Sequence, residues 1–126
     1  MKVDAVGVAS SNLEKTIEFY ELLGFVFPER KGDEQHIEAL APKGGARLMI
    51  DSVDLVKTLV GEDPKPSNHS SFEVICSDPE EVDTVVGKVK AAGFTVVKEP
   101  WDAFWGQRYA VVSDPDGYMV DVFANL

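Results

Sequence analysis

The segment from Pro100 to Tyr109 carries both tryptophans of the chain and two further aromatic rings. The candidate ligand contacts in it are Trp101, Phe104, Trp105 and Tyr109. Aromatic rings offer flat contact area at low entropic cost, and an indole N–H can donate a hydrogen bond from an apolar wall. This clustering predicts that the protein binds a small planar aromatic molecule. The same rings could instead seal the core or a dimer interface, and this alternative stays open.

Five further residues, one of them inside this segment, could complete such a binding wall. They are His36, Met49, Phe72, Arg108 and Asp121. Histidine, arginine and carboxylate side chains can orient a polar group of a ligand, whereas Met49 and Phe72 would supply apolar surface. Core packing remains an alternative for Met49 and Phe72. For Arg108 the alternative is an ion pair or plain solvent exposure, and for His36 it is ordinary hydrogen bonding on a strand.

The chain shows no motif for nucleophilic or nucleotide chemistry. It contains no GxSxG elbow, no Walker loop and no GxGxxG pattern. Catalysis would therefore need a metal ion or an acid–base pair such as His69 with Asp121. The single cysteine, Cys76, lies in the apolar run FEVIC, which is typical of core filling rather than of a reactive thiol. No internal disulfide is expected.

The composition restricts the class of partner. The chain has 126 residues and a formal net charge of −10. Nucleic acid and anionic membrane surfaces are both excluded as partners, because each requires a basic surface. The acidic balance favours neutral or cationic small molecules. The N-terminal apolar run is too short for a signal peptide and no stretch approaches membrane-spanning length, so we expect a cytoplasmic protein.

The first half of the chain predicts a strand, a helix and then short strands. The pattern Ser11-Asn12-Leu13-Glu14 is typical of a capping box at the start of a helix, which is expected to run to Leu23 and to end at Gly24. Strands are predicted at 3–9, 25–29, 35–41 and 46–51, and a short helix at 52–60. Turns are expected at 31–33 and 42–45, and a polar surface loop at 61–68.

The second half repeats this order. Asp78 followed by Pro79 predicts a second long helix, which is expected to end at Gly93 and to bury Val82, Val85, Val86, Val89 and Ala92. Strands are predicted at 70–76, 94–98, 107–113 and 118–123, with the last hairpin turn at 114–117.

An internal repeat relates the two halves. LLGFVF at 22–27 corresponds to AAGFTV at 91–96, and PKGGARLMI corresponds to PDGYMVDVF. We therefore predict an α+β fold in which two βαβββ modules form one curved mixed sheet around a cavity, with the helices outside. One domain would cover 1–126, with module 1 at about 1–51, a linker at 52–67 and module 2 at about 68–126.

The residues also carry a family resemblance. SSNLEKTIEFYELLGF resembles the opening of the glyoxalase/bleomycin-resistance/extradiol-dioxygenase (vicinal oxygen chelate) superfamily, and SFEVICSDPEEVD with GQRYAVVSDPDGYMVDVFA resembles its second half. The run PWDAFWGQRYAVVSDPDG is most similar to mitomycin- and bleomycin-resistance-type binding proteins. The resemblance covers essentially the whole chain. It implies a homodimer, since members of the family commonly pair two chains to enclose their cavities.

The resemblance also implies where a divalent metal would bind. Family enzymes use up to four ligands, and their positions correspond here to Ala5, Met49 (Leu48 in a shifted alignment), His69 and Asp121. Ala5 and Met49 supply no hard donor, so only His69 and Asp121 are competent ligands. We therefore expect no metal cofactor. The alternative is one divalent ion such as Ni, Zn, Mn or Fe, held by His69, Asp121 and ligands not identified in the sequence.

Two functions of different class follow from these observations. The first is a metal-free protein that binds, and by binding sequesters, a planar aromatic compound of antibiotic type. The second is a metal-dependent lyase, isomerase or dioxygenase of the same superfamily. An unrelated binding or regulatory role is a third possibility.

Overall fold

The computed structural model describes residues 1–41 and 43–126, so the predicted turn at 42–45 lies partly outside the described residues. The chain separates into two compact units, which we call unit 1 (Met1–Pro66) and unit 2 (Ser67–Leu126). The boundary falls within the predicted linker. The described residues form three helices and two mixed sheets, one of three strands and one of four. This arrangement confirms the predicted α+β class.

Unit 1 is a three-stranded sheet with two helices. In chain order its elements are β1 (Ala5–Ser10), α1 (Leu13–Leu22), β2 (His36–Glu38), β3 (Arg47–Ser52) and α2 (Val53–Val60). The strand order is β1-β3-β2, with β1 parallel and β2 antiparallel to β3. Leu48 and Ile50 of β3 are buried together with the inner face of α1, and the Ser10 and Thr16 hydroxyls share a buried hydrogen bond of 2.6 Å.

Two predictions for unit 1 are wrong in detail. The helix cap is Asn12, whose side chain accepts the Lys15 amide at 3.1 Å, whereas a capping box of Ser11 with Glu14 would place the cap at Ser11. The segment 25–29 forms no regular strand: the Leu40 amide donates to the Val26 carbonyl at 2.7 Å, but no ladder develops. The first half therefore shows the pattern βαββ in place of βαβββ.

Unit 2 contains the complete βαβββ pattern. Its elements are β4 (Phe72–Ile75), α3 (Pro79–Ala91), β5 (Thr95–Ala103), β6 (Gln107–Ser113) and β7 (Met119–Asn125). The strand order is β4-β7-β6-β5, with β4 parallel to β7 and the other pairs antiparallel. As predicted, Asp78 caps α3, accepting the Glu81 amide at 2.9 Å, and Pro79 occupies its first turn. No helix of the described residues is long and apolar enough to cross a membrane.

One face of the unit 2 sheet is covered by α3. Val82, Val86 and Val89 of the helix are fully buried. Their partners are the buried residues of β6 and β7, namely Ala110, Val112, Val120, Val122 and Ala124. Ala92, which we expected on the buried face of the helix, is exposed. We call this side of the sheet the helix face.

Strand β5 is longer than predicted and includes part of the aromatic segment. The strands predicted at 94–98 and 107–113 leave residues 99–106 as a connection, but Pro100 and Trp101 belong to β5, and only residues 104–106 form the turn to β6. β5 is an edge strand, where proline is tolerated because its missing N–H breaks no interior ladder. The register of β5 against β6 shifts twice, between Val96 and Lys98 and between Lys98 and Trp101.

Candidate functional site: an aromatic face on the second sheet

The side of the unit 2 sheet opposite α3 carries a row of aromatic rings, and we call this side the ring face. Trp101 pairs with Tyr109 across β5 and β6, and Tyr109 pairs with Phe123 across β6 and β7. The Trp101 and Tyr109 ring centroids are 5.5 Å apart, and Tyr109 stacks on Phe123 at 5.9 Å. The rings share one face because side chains alternate along each strand, and their neighbours Ala110 and Val122 point toward α3.

Trp105 extends this row from the β5–β6 turn. Its ring centroid lies 5.9 Å from that of Trp101 and 5.4 Å from that of Tyr109. The indole Nε1–H donates to the Gln107 Oε1 at 2.9 Å, so this donor already has a partner inside the protein. The turn closes through Gly106, whose φ of 88° favours glycine. Phe104, at the tip of the turn, is 98% exposed and contacts the Trp105 ring at 5.0 Å.

Two carboxylates lie next to the rings on the same face. Asp121 pairs in register with Glu73 of the edge strand β4. The Ser71 hydroxyl donates to Asp121 at 2.9 Å, and the Tyr109 hydroxyl donates to Glu73 at 3.3 Å. Burial of the Tyr109 phenol, together with the nearby Asp121 and Glu73 charges, raises its pKa above the usual value of about 10.

Glu73 and Ser71 were not identified in the sequence. The signal that could have found Glu73 is its alternation with Phe72 and Val74 in the run FEVIC, which places a charged residue on the face opposite its apolar neighbours. The nearly continuous apolar character of this run concealed the alternation.

Two predicted contacts lie on the helix face instead. Phe72 pairs in register with the fully buried Val120, so strand alternation points it away from Asp121. Arg108 also lies on the helix face. Its Nη2 and Nε donate to Asp83 of α3 at 2.8 and 3.1 Å, and its Nη1 donates to Asp102 at 3.1 Å. The structure therefore does not bring Phe72 and Arg108 together with the rings.

The predicted residues of unit 1 lie on the side of its own sheet that faces away from α1. His36 Nδ1 is 2.5 Å from Asp51 Oδ1, and its Nε2 is 3.2 Å from Glu38 Oε1. The hydrogen bond to Asp51, and then that to Glu38, raises the pKa of His36. Met49 is the register partner of Gly7 and of Glu38 on this side. His36 thus has a structural partner at each ring nitrogen.

An arginine joins Glu38 to a third carboxylate, that of Asp4. Arg47 Nη1 donates to both oxygens of Glu38 at 2.8 and 2.7 Å, and its Nη2 donates to Asp4 at 2.7 Å. Asp4 stands immediately before β1, which begins at Ala5, and its carboxylate reaches Arg47, the register partner of Ala5.

A small, partly open pocket also lies within unit 1. It is lined by the first turns of α1 and by the segment before β2, and includes Leu13, Ile17, Arg30, Glu34 and Ile37. None of the predicted site residues lines it. Its Glu34 carboxylate accepts the amides of Lys31 and Gly32, which stabilises that segment.

The donor set does not fit a divalent metal. Of the four positions that the family resemblance implies, Ala5 and Met49 in unit 1 carry no hard donor. In unit 2, Asp121 is held by Ser71, and His69 lies in an exposed segment before β4, where its backbone amide donates to Ser67. In residues 1–41 and 43–126, no three histidine, cysteine, aspartate or glutamate side chains converge as a metal site would require.

Comparison with known proteins agrees with this fold. A protein of Mycolicibacterium smegmatis, described as uncharacterized, is 32% identical over 116 residues, which cover 92% of this chain and 87% of that protein. Among solved structures, a glyoxalase-related enzyme from Fulvimarina pelagi has a TM-score of 0.83 at 21% identity and covers 98% of this chain and 88% of its own. A hypothetical protein from S. aureus has a TM-score of 0.81 at 24% identity, with 98% and 94% covered.

The two solved structures support the fold alone, because sequence identities of 21% and 24% are too low to carry over an activity. The sequence model of the Glyoxalase/Bleomycin resistance protein/Dioxygenase superfamily matches residues 2–122, which is nearly the whole chain. The chain therefore belongs to the Glyoxalase/Bleomycin resistance protein/Dioxygenase superfamily.

Proposed function

We propose that this protein binds a planar aromatic small molecule on the ring face of unit 2, without a metal, and thereby sequesters it. The observation that carries the proposal is the row formed by Trp101, Tyr109 and Phe123, which is only partly buried and lies on one face of a sheet. Trp105 at one end is 49% exposed, and Ile75 at the other end is 65% exposed. A flat apolar ligand could cover these residues together.

The chemistry of the neighbouring side chains supports a neutral or cationic ligand. A stacked ring contact contributes about 0.5–1.5 kcal/mol beyond area burial. Asp121 and Glu73 could accept hydrogen bonds from a basic group of the same molecule. We leave Phe72 and Arg108 out of the proposed contacts, because they lie on the helix face. We keep Phe104 as a contact at the rim, and we leave out His36 and Met49, which belong to the sheet of unit 1.

The proposal is tested by titrating the protein with pyrenemethanol and proflavine while tryptophan fluorescence is recorded, with and without EDTA. We expect saturable quenching that EDTA does not change. Trp101→Leu should weaken proflavine binding by about two- to tenfold, the range that one ring contact corresponds to. Val97→Ala is the matched control, since Val97 is an exposed apolar residue of the same strand. Absence of saturable binding of both probes would contradict the proposal.

Sequestration is tested in cells that express the protein. Cells that carry the wild type should tolerate a planar drug better than cells that carry the Trp101→Ala/Trp105→Ala double variant, at equal protein level. Equal tolerance would rule out sequestration, even if binding occurs in solution.

The competing enzyme hypothesis has a direct test of its own. Protein purified without chelators should hold metal well below one ion per chain and gain no thermal stability from Ni, Zn, Mn or Fe. A stoichiometric, stabilising ion would instead support a metal-dependent lyase, isomerase or dioxygenase.

We further propose a cytoplasmic homodimer, for which light scattering should give twice the mass of the chain.

A further inference from the structure

Lys98 covers part of the aromatic row. Its Nζ lies 5.0 Å from the centroid of the Trp101 ring, which is a cation–π contact. Residues three apart on a regular strand point to opposite faces, so Lys98 and Trp101 should not meet. They do meet because of the second register shift in β5: Lys98 pairs with Val111 and Trp101 pairs with Tyr109, so three positions along β5 correspond to two along β6. The irregularity of this edge strand therefore puts an ammonium group on the ring face.

Lys98 is also one end of a second row that runs beside the rings. In register across the sheet this row consists of Lys98, Val111, Asp121 and Glu73. Because neighbouring strands are about 4.8 Å apart, the Lys98 backbone lies roughly 10 Å from that of Asp121. Within the described part of the chain, no carboxylate forms an ion pair with Lys98. The ring face thus has a positive end at β5 and a negative end at β7 and β4.

We propose that Lys98 is a specificity-determining residue of this face, an inference that rests on the proposed function. Its ammonium occupies the position over Trp101 where a cationic group of a ligand would otherwise bind. A basic substituent is thereby directed to Asp121 and Glu73, and the Lys98 end accepts a neutral or anionic group. The preferred ligand class is a planar aromatic molecule whose basic group is at one end only, including zwitterions.

Three probes with one ring system and different charge test this proposal. They are pyrenemethylamine, pyrenemethanol and pyrenecarboxylate, titrated at neutral pH into wild type, Lys98→Met, Lys98→Glu and Lys98→Arg. We expect Lys98→Met to bind the amine about two- to fivefold more tightly relative to the carboxylate, the factor that an exposed cation–π contact corresponds to. Lys98→Glu should shift this ratio further. Lys98→Arg should keep the wild-type ratio, and pyrenemethanol should bind all four proteins alike.

Lys88→Met provides the matched control, because Lys88 is an exposed lysine of α3 and the helix packs on the other side of the sheet. An amine-to-carboxylate ratio that is the same in wild type, Lys98→Met and Lys98→Glu would overturn the role of Lys98 while leaving the proposed function intact. That role is equally overturned if Lys88→Met shifts the ratio as much as Lys98→Met. If none of the three probes binds the wild type, the proposed function and the inference fail together.

Discussion

Replacing Arg108 with glutamine should destabilise unit 2 without weakening ligand binding. The guanidinium of Arg108 joins the sheet to α3 through Asp83 and to β5 through Asp102. These carboxylates raise the pKa of Arg108, with Asp83 the larger influence. Arg108→Gln removes the charge and most of the donors while preserving much of the side-chain length. The loss should therefore appear in the free energy of unfolding and not in the affinity for a planar probe.

The magnitude follows from the exposure of the partners. The Arg108 side chain is 25% exposed, but Asp83 is 51% and Asp102 is 63% exposed, so solvent screens both pairs. Exposed ion pairs contribute about 0.2–1 kcal/mol each. We expect Arg108→Gln to lower the free energy of unfolding by about 1 kcal/mol at low salt, and by less at 1 M NaCl, where the Debye length is about 3 Å.

Urea denaturation of Arg108→Gln, Asp83→Asn and the double variant measures this effect as a double-mutant cycle. The cycle should give a coupling energy of about 0.5 kcal/mol between Arg108 and Asp83. Arg30→Gln is the control, since Arg30 forms no ion pair with the described residues of the chain. Our assignment of Arg108 would be refuted if Arg108→Gln kept wild-type stability while its affinity for pyrenemethanol fell several-fold.

Three further predictions address the rest of the molecule. The pKa of His36 is raised by Asp51 and Glu38, so its contribution to stability is complete below the unfolded pKa of about 6.5 and is lost as pH rises through the folded value. His36→Gln should flatten that part of the stability–pH curve; an unchanged curve would contradict the pairing. Burial raises the pKa of Cys76 to about 11, so iodoacetamide at pH 8 should alkylate Cys76 much more slowly than it alkylates the thiol of free glutathione. Equal rates of alkylation would disprove this. Ile50→Val, at a fully buried position, should cost about 0.5–1.5 kcal/mol in urea denaturation, and no measurable loss would show that the site repacks freely.

The sequence was most informative where the signal is carried by a few adjacent residues. Asp78 with Pro79 predicted the start of α3, and Gly24 has the left-handed φ of 92° that we expected at the end of α1. Ser52 caps α2 (Val53–Val60), which lies where a short helix was predicted at 52–60. These signals can be read from the sequence because a cap or a turn is decided by the backbone freedom and hydrogen bonding of neighbouring residues.

The candidate site could be predicted only in part, because the clustering of its rings shows in the sequence but the face of each strand does not. The cluster of Trp101, Trp105 and Tyr109 was evident from composition, and the structure brings these rings into contact. Which strand residues share their face was not evident. The face on which Phe72 lies could not be read from the sequence, because Val74 and Ile75 make the strand apolar on both faces.

The α+β class and the aromatic clustering were thus determined by the sequence itself, through local periodicity, caps and turns. Only the tertiary structure decided that Arg108 binds Asp83, that Glu73 lies beside Asp121 and that Lys98 reaches Trp101. The first two depend on which face of its strand each residue occupies, and the third depends on the second register shift in β5. A register shift of one residue exchanges the two faces of a strand, and its free energy depends on partners far away in the chain, so no local pattern could reveal it.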